Sequence, residues 1–425
     1  MNIPVTSKPR IIVIGGGFAG ISFIKKMMKA PVQLILFDKH NYHTFQPLLY
    51  QVSTAGLEPD SIAYPLRKIF RKHDNFHFRM ASVEKIDTAN KTVETSVGNL
   101  TYDYLVLATG TKTNFFGNQN IAQYSMPMKT VPQALNIRSL MLQNIELADQ
   151  SDDPQTQRQY LNFVIAGGGP TGVELAGALA EFRKGILKND YPELNPSEMH
   201  IHLVEGSNRL LAAMSEKASQ KAQSFLEKMG VQIHLNTLVQ DFDGKTVTTK
   251  DGPSFHTATF IWAAGVTGNP VIGMPSHLHE KTNRYKVNAF NQIEGLENVY
   301  ALGDIALMET EAFPKGHPQL AQPAMQQGRH LAKNLLRQFK GKAMEPFSYL
   351  DKGSMATVGR NKAVVDFKGL KFGGFFAWFL WMFIHLWYLV GFRNRVVTFF
   401  NWTYNYINYD RAARLIIRPY LKKPN

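Results

Sequence analysis

The chain has 425 residues, enough for two or three domains, and its 44% hydrophobic and 19% charged residues are typical of a globular protein. It contains no cysteine, which excludes disulfides, thiolate-bound zinc, cysteine-held iron–sulfur clusters and thiol redox relays. The formal net charge of +14 indicates an anionic partner, either nucleic acid or an acidic lipid surface.

After Met1–Arg10, a short apolar run leads directly into glycines. Residues Ile11–Ile14 therefore predict a buried strand and not a secretory signal, so we expect the catalytic body in the cytoplasm or an equivalent compartment. In the following turn, Gly15 allows a tight bend, Gly17 lets the backbone approach a pyrophosphate, and Gly20 lets helix and strand pack closely. The next strand ends in Asp38, which is placed to bind a ribose.

The same plan occurs a second time. The strand Phe163–Ala166 leads into Gly167, Gly169 and Gly172, and the following strand ends in Glu205. Two complete strand–turn–helix–strand units predict two dinucleotide sites, with the phosphates at the helix N-termini. A 2′-phosphate beside Glu205 would be repelled, so NADH is favoured over NADPH.

Later elements extend both units. The apolar strands 104–110 and 260–265 follow the first and second unit in corresponding places, which indicates a duplicated architecture. A further strand runs from Val299 into Gly303 and Asp304, an aspartate suited to the ribitol of a flavin. We expect a long helix from Ala321 to Phe339, whose positive N-terminal end would stabilise an anionic reduced flavin. Residues Ser354–Phe367 predict a hairpin that turns at 359–362.

The C-terminal segment changes composition abruptly. Residues Phe372–Phe392 contain no charged Asp, Glu, Lys or Arg over 21 positions, which is long enough for a membrane span. The aromatic content, with four of the five tryptophans between Trp378 and Trp402, favours a segment that lies in the membrane interface. A span, a dimer interface and a buried core helix are the alternatives.

The last residues of the chain are basic. From Arg393 to Asn425 seven Lys and Arg residues face one acid, Asp410, so six of the fourteen excess charges lie here. The basic residues alternate with aromatics and accompany no zinc module or recognition helix, so we discard nucleic acid as the partner and expect an anionic lipid surface.

The chain resembles the type II NADH dehydrogenases, which are single-subunit NADH:quinone oxidoreductases, over essentially its whole length. The motifs that carry the resemblance are Gly15–Gly20, His43–Tyr50, Ala108–Gly110, Gly167–Glu174, Gly303-Asp304, Ala321–Gly328 and Gly391–Arg395.

The resemblance implies roles for matching residues. Contacts with FAD are expected from Gly15, Gly16, Gly17, Phe18, Ala19, Gly20, Asp38, Lys39, Val83, Ala108, Thr109, Gly110, Gly303, Asp304, Ala321 and Gln322. Contacts with NADH are expected from Gly167, Gly169, Pro170, Thr171, Gly172 and Glu205. Gly265 and Arg395 are further candidates for cofactor contacts.

Three side chains are expected to support catalysis. The resemblance implies that Glu174 faces the contact between nicotinamide and flavin, and that Gln322 and Gln326 border the quinone tunnel from one helical face. Lys352, Arg393 and Arg395 are further candidates for neighbours of the quinone head group, and Lys352 is equally well explained as a solvated strand-end lysine.

The expected fold class is α/β, with two Rossmann-like dinucleotide-binding domains and an amphipathic C-terminal membrane module. We expect an FAD domain in residues 1–118 and 290–345, an NADH domain in 119–289 and the membrane module in 346–425. The expected enzyme passes a hydride from NADH to non-covalent FAD and two electrons to a membrane quinone, without proton pumping. Such an enzyme is expected to be a homodimer bound to the cytoplasmic face of the bacterial plasma membrane.

Rival functions remain within this fold. Dithiol–disulfide reductases and sulfide:quinone oxidoreductases need thiols that the chain lacks. A ferredoxin or rubredoxin reductase passes this filter but has no use for an aromatic C-terminal segment. A flavoprotein that senses NADH and turns over slowly is the alternative from another functional class.

Overall fold

The structure, a computed structural model, describes residues 1–71, 73–279, 282–408 and 413–421. The chain forms two compact units, each assembled from three segments. The first unit consists of Met1–His43, Tyr64–Lys112 and Val266–Asp351, and the second of Thr44–Ala63, Thr113–Gly265 and Lys352–Asn425. The division into an FAD domain, an NADH domain and a membrane module stays a prediction.

The strands and helices are numbered in chain order. The strands are β1 (Arg10–Ile14), β2 (Gln33–Asp38), β3 (Tyr42–Thr44), β4 (Ala63–Pro65), β5 (Phe76–Met80), β6 (Val83–Asp87), β7 (Thr92–Thr95), β8 (Gly98–Thr101), β9 (Tyr104–Leu107), β10 (Thr111–Thr113), β11 (Met126–Pro127), β12 (Asn162–Ala166), β13 (His200–Val204), β14 (Gln232–His234), β15 (Leu238–Phe242), β16 (Thr246–Lys250), β17 (Phe255–His256), β18 (Thr259–Trp262), β19 (Val266–Gly268), β20 (Tyr285–Lys286), β21 (Val299–Ala301), β22 (Ala306–Leu307), β23 (Ser354–Thr357), β24 (Ala363–Phe367) and β25 (Leu370–Gly373). The helices are α1 (Phe18–Met27), α2 (Leu49–Ser53), α3 (Pro59–Ile62), α4 (Leu66–Ile69), α5 (Gln119–Tyr124), α6 (Val131–Asp149), α7 (Pro154–Leu161), α8 (Pro170–Phe182), α9 (Lys188–Asp190), α10 (Glu216–Lys228), α11 (Ala321–Gln338), α12 (Phe375–Tyr388) and α13 (Phe392–Asn408).

The first unit is built on a parallel sheet in the order β21-β9-β1-β2-β5. Its central strand is apolar on both faces because each face is covered. Ile11 and Val13 join the core that contains Phe23 and Leu331, from helices α1 and α11, whereas Ile12 joins the core on the opposite face. The antiparallel sheet β6-β7-β8 belongs to the same unit.

The second unit repeats this arrangement. Its parallel sheet has the order β11-β18-β12-β13-β14, and an antiparallel sheet β15-β16-β17 follows β14 in the chain. Each sheet has at its centre the strand that precedes a glycine turn, with the acid-bearing strand on one side and a later strand on the other. The predicted duplication and the α/β fold class are therefore confirmed.

The C-terminal segment begins with the predicted hairpin. Strands β23 and β24 pair antiparallel from Ser354↔Asp366 to Thr357↔Ala363, and β25 extends the sheet. The stretch that is long enough by composition to span a membrane forms α12, of 14 residues, followed by a break before α13. Among the described residues, no helix combines the length and apolarity needed to cross a bilayer.

A buried asparagine helps to fix helix α13 within the second unit. The amide of Asn394, which is 2% exposed, donates to the backbone carbonyls of Asp60, Ser61 and Ala63 at 2.9, 3.1 and 3.0 Å. Three carbonyls at the end of α3 are thereby satisfied, and the helix is held by buried polar contacts. The charges expected at Asp410, Arg411, Lys422 and Lys423 lie outside the described residues.

Candidate active site

The first glycine turn has the geometry expected for phosphate binding. Gly15 has φ of 107°, and a Cβ there would lie 2.3 Å from the carbonyl oxygen of Ala108. A Cβ at Gly20 would lie 2.1 Å from the oxygen of Gly15, whereas no atom lies within 4 Å of a Cβ at Gly17. The turn is thus closed on the protein side and open in front of Gly17, where helix α1 begins without a side-chain cap.

The carboxylate of Asp38 organises this turn. Its Oδ2 accepts from the backbone N–H of Gly16 at 2.6 Å, and its Oδ1 accepts from the N–H of His40 at 2.8 Å. Beside the turn, the Thr109 hydroxyl is buried without a hydrogen-bond partner in the described chain. A buried hydroxyl with no partner is costly unless a ligand satisfies it, which fits a dinucleotide at this turn.

The other residues predicted near FAD lie at different depths of the first unit. Lys39 is exposed, whereas Val83 packs, partly buried, against the core that contains Ile12. Gly303 and Asp304 reach the glycine helix, because a Cβ at Gly303 would lie 3.2 Å from the Cβ of Ala19. Asp304 is therefore close to the start of α1, as the ribitol assignment requires.

Sequence reasoning missed the residue that holds this loop in place. The Oε1 of Gln327, which is 1% exposed, accepts from the backbone N–H of Gly303 at 2.7 Å. Gly303 has φ of 71°, so its turn needs both a glycine and a fixed N–H partner. The signal was present, because Gln327 belongs to the matched motif Ala321–Gly328 and lies on the buried face of α11.

The two glutamines predicted to border a quinone differ in their surroundings. Gln322 is half-buried in the first turn of α11, which begins without a side-chain cap. Gln326 instead pairs with the backbone of Leu350: its Nε2 donates to the carbonyl at 2.9 Å and its Oε1 accepts from the N–H at 3.0 Å. Gln326 therefore already has a structural task, and its role toward a quinone stays a prediction.

The second glycine turn has the geometry of the first. Gly167 has φ of 110°, and a Cβ there would lie 2.6 Å from the carbonyl group of Ala263. A Cβ at Gly172 would lie 1.9 Å from the oxygen of Gly167, whereas the space in front of Gly169 is open. Helix α8 starts without a side-chain cap, and its first residues Pro170 and Thr171 are exposed.

Glu205 serves this second turn as Asp38 serves the first. Its Oε2 accepts from the N–H of Gly168 at 2.5 Å, and its Oε1 accepts from the N–H of Ser207 at 2.7 Å. Each carboxylate oxygen has a further lone pair for a ribose hydroxyl. The role of Glu205 in the choice between NADH and NADPH stays a prediction.

Glu174 is a buried acid of the second unit. It lies on α8, is 8% exposed, and its Oε1 accepts a long hydrogen bond of 3.5 Å from the N–H of Thr357 on β23. Burial raises the pKa of Glu174 to about 8, and the single hydrogen bond opposes this only in part. The carboxyl is therefore protonated at neutral pH and is able to release a proton under mildly alkaline conditions.

The basic residues predicted near the quinone head group either contact other residues of the protein or are exposed to solvent. The Arg393 guanidinium forms an exposed ion pair with Asp60 at 3.3 Å, and Arg395 Nε donates to the carbonyl of Leu389 at 2.8 Å, at the end of α12. Lys352 is exposed. Their contacts with ligands stay predictions.

Comparisons with known proteins agree with this geometry. Residues 9–328 match the model of the pyridine nucleotide-disulphide oxidoreductases, and residues 352–408 match the NDH2 C-terminal domain. The type II NADH:quinone oxidoreductase Ndh of Mycobacterium tuberculosis is 34% identical over 422 residues, which covers 96% of this chain and 90% of the relative.

Solved structures show the same fold. The structure of NDH2 from Plasmodium falciparum in complex with NADH superposes with a TM-score of 0.87 at 21% identity, and the match covers 97% of this chain and 100% of that one. The sulfide:quinone oxidoreductase of Aquifex aeolicus has a TM-score of 0.71 at 18% identity, with 91% and 92% of the two chains covered. At these identities the likeness establishes the fold and leaves the substrate to the closer relatives.

Proposed function

This chain belongs to the type II NADH:quinone oxidoreductases, and we propose that its first unit holds FAD, its second unit holds NADH, and its C-terminal helices lie on the membrane that carries the quinone. The enzyme oxidises NADH and reduces a quinone without pumping protons. When bound, FAD accepts the hydride of NADH and delivers two electrons to the quinone. The relatives do not favour the sensing or ferredoxin-reductase alternatives.

One observation carries the assignment of FAD to the first unit. There, Gly303 meets Ala19 of α1, so that Asp304 and the uncapped N-terminus of α11 lie in the unit of the first glycine turn. These residues provide a ribitol acceptor and N–H groups for an electron-rich ring in addition to the phosphate site. The second unit supplies a phosphate site, an acid for ribose and the protonated Glu174.

The charge of Glu205 is expected to set the choice of nicotinamide cofactor. In Glu205→Gln the uncharged amide keeps an oxygen acceptor for the loop, so the NADH-over-NADPH ratio of kcat/KM is expected to fall about tenfold, which corresponds to ~1.4 kcal/mol. Steady-state kinetics with both cofactors measures this ratio. Asp38→Asn is the matched control and should leave the ratio unchanged, and an unchanged ratio in Glu205→Gln would contradict the assignment.

The C-terminal helices expose an unusual apolar surface, which we name the aromatic face. The side chains of this face are between 48% and 80% exposed: Phe375, Phe376, Phe379, Phe383, Trp387, Phe392, Phe399, Phe400, Tyr404 and Ile407. On α12 the opposite side, with Ala377 and Trp381, is buried. A continuous exposed patch of this kind is typical of a helix that lies in a membrane interface.

The same helices border a half-open cavity of about 140 Å³ in the second unit. Tyr50, Trp378, Trp381, Trp402 and Tyr406 are among its lining residues. A cavity of roughly 150 Å³ holds one six-membered ring, so its size and aromatic walls support our proposal that a quinone ring enters the protein beneath the aromatic face. Gln322 stays our candidate for contact with the ring during reduction.

Two basic residues in the described part of the tail contact the second unit. Arg414 pairs with Asp190 at 3.2 Å, and Arg418 donates to the side chain of Asn136 at 2.7 Å. These charges are directed toward the second unit itself. We propose that the protein binds peripherally to the cytoplasmic face of an anionic membrane, mainly through the aromatic face. We also propose a homodimer, in which two aromatic faces would double the area in contact with the membrane.

Removal of aromatic side chains from this face is expected to release the protein from membranes. Burial of one phenylalanine is worth roughly 1.5–3 kcal/mol, so Phe376→Ser, Phe379→Ser and Phe383→Ser combined should weaken binding to vesicles with anionic phospholipid at least about 100-fold. Cosedimentation at low and high salt measures the binding. Leu238→Ser, at an exposed leucine outside the face, is the matched control.

Turnover with a water-soluble quinone analogue should persist in the triple variant, which separates membrane attachment from catalysis. Full vesicle binding by the triple variant would contradict the proposal, as would protection of the C-terminal segment from protease across a sealed vesicle.

A further inference from the structure

Phe116, in the second unit, combines two properties that are unusual for an aromatic residue. Its side chain is 67% exposed, and its backbone has φ of 52°, in the left-handed region. This conformation costs a bulky residue roughly 1–2 kcal/mol, and exposure of the ring costs additional free energy. Retained strain of this kind is typical of ligand sites.

The loop that carries Phe116 is fixed to the end of β18 by one asparagine. The Asn114 N–H donates to the carbonyl of Gly265 at 3.1 Å, and its carbonyl accepts from the indole Nε1 of Trp262 at 2.8 Å. Its side-chain Oδ1 accepts from the N–H of Phe116 at 2.9 Å. Three hydrogen bonds thus hold the backbone of the loop that carries the exposed ring.

That place is next to the second glycine turn. A Cβ at Gly265 would lie 3.0 Å from Cζ of the Phe116 ring, so the absence of a side chain at 265 lets the ring approach the backbone. The same strand end contacts the turn, because a Cβ at Gly167 would lie 2.7 Å from the Cα of Ala264. Phe116 therefore lies at the carboxyl end of β18, next to the residues that pack on the turn.

The strand order tells which half of a dinucleotide would reach this point. Strand β12, which precedes the glycine turn, lies between β13 and β18. The pyrophosphate binds at the turn, and Glu205 at the end of β13 takes the adenosine ribose on one side. The other half of the dinucleotide therefore extends across the carboxyl end of β18.

We propose that the Phe116 ring packs against the nicotinamide riboside half of NADH and positions it in the second unit. The inference rests on the proposed assignment of NADH to that unit. The flat face of the nicotinamide, which is an electron-poor ring in the oxidised cofactor NAD⁺, covers the exposed phenylalanine ring, and this contact compensates for the strain in the loop. Gly265 then has a distinct role, since any larger residue would displace the ring.

The test compares a ligand that has the nicotinamide with one that lacks it. Isothermal titration calorimetry of the FAD-loaded enzyme with NAD⁺ and with ADP-ribose gives both affinities. In Phe116→Ala, binding of NAD⁺ is expected to weaken about three- to tenfold, the range of one aromatic contact, while binding of ADP-ribose stays unchanged. Phe116→Tyr should restore NAD⁺ binding and Phe116→Leu should not.

Two controls distinguish the possible failures. Thermal unfolding of Phe116→Gly shows whether the loop tolerates substitution, because glycine adopts this backbone conformation without strain. Glu205→Ala should weaken both ligands, and if it affects neither, the assignment of NADH to the second unit fails. Equal weakening of both ligands in Phe116→Ala, or no change in either, would overturn the role of Phe116 while leaving that assignment intact.

Discussion

Gly20→Ala is expected to produce a protein that is purified with little or no FAD. A Cβ at this position would lie 2.1 Å from the backbone oxygen of Gly15, and a backbone atom has no rotamer with which to move away. The turn and α1 must separate, which costs about 1–3 kcal/mol. If this free energy is lost from the binding of FAD, the affinity for FAD falls roughly 5- to 150-fold.

The flavin-to-protein ratio after purification and fluorescence titration of the apoprotein with FAD measure this effect. Gly17→Ala is the control, because no atom lies within 4 Å of a Cβ there and the turn is able to keep its shape. We expect Gly17→Ala to have wild-type stability in thermal unfolding as apoprotein and yet to bind FAD more weakly, since its methyl group enters the space proposed for the pyrophosphate. Full flavin content in Gly20→Ala would contradict the phosphate site.

The equivalent substitution in the second unit tests which turn holds which cofactor. In Gly172→Ala a Cβ would lie 1.9 Å from the oxygen of Gly167, so this turn is expected to open in the same way. The variant should keep its FAD and lose affinity for NAD⁺. The reverse pattern, with loss of FAD from Gly172→Ala and its retention in Gly20→Ala, would exchange the two assignments.

Glu174→Gln is expected to reduce quinone-dependent NADH oxidation about 100-fold, the lower limit for loss of a positioned acid or base. Oxidation of NADH and reduction of a quinone to the quinol consume one proton from water, since NADH brings one proton with its two electrons. A carboxyl with a pKa of about 8 is protonated at neutral pH and able to deliver that proton. The glutamine keeps the acceptor for the Thr357 N–H and loses only the titrating proton.

The pH dependence gives a second readout. Wild-type turnover should fall as the pH rises through about 8, where Glu174 loses its proton, and this limb should be missing from the residual rate of Glu174→Gln. FAD content and NAD⁺ affinity should stay at wild-type levels in the variant. A wild-type rate in Glu174→Gln would remove Glu174 from the reaction and leave the fold and the cofactor sites intact.

The stability of the protein should also depend on the protonation of Glu174 and should decrease as the pH rises. The pKa of Glu174 is raised by burial from its ordinary value of 4.5 to about 8, so the folded state binds a proton that the unfolded state releases within this window. The contribution of Glu174 to the free energy of unfolding is therefore greatest below pH 4.5. It decreases by at most roughly 5 kcal/mol as the pH rises to 8. Glu174→Gln should be more stable than the wild type above this window in denaturant titrations.

Much of the fold could be predicted because its signals are local. The glycine spacing of each turn, the apolar strands on either side and the terminal acids Asp38 and Glu205 lie within short stretches of chain. The helix predicted from Ala321 and the hairpin from Ser354 were confirmed for the same reason. The aromatic stretch was ambiguous because composition indicates apolarity but not where a helix breaks, and the structure divides it between α12 and α13.

The sequence by itself determined that this protein carries two dinucleotide folds, has no thiol chemistry and contains an apolar aromatic segment, because each of these depends on composition or on neighbours in the chain. Only the tertiary structure decided what single side chains do. Glu174 owes its raised pKa to burial, and it contacts Thr357, which lies 183 positions later in the chain. Gln326 is bound to Leu350, while its neighbour Gln327 holds Gly303. Phe116 lies against Gly265, at the end of the strand that packs on the second glycine turn. Burial and long-range contacts set these properties, and neither is visible in a motif.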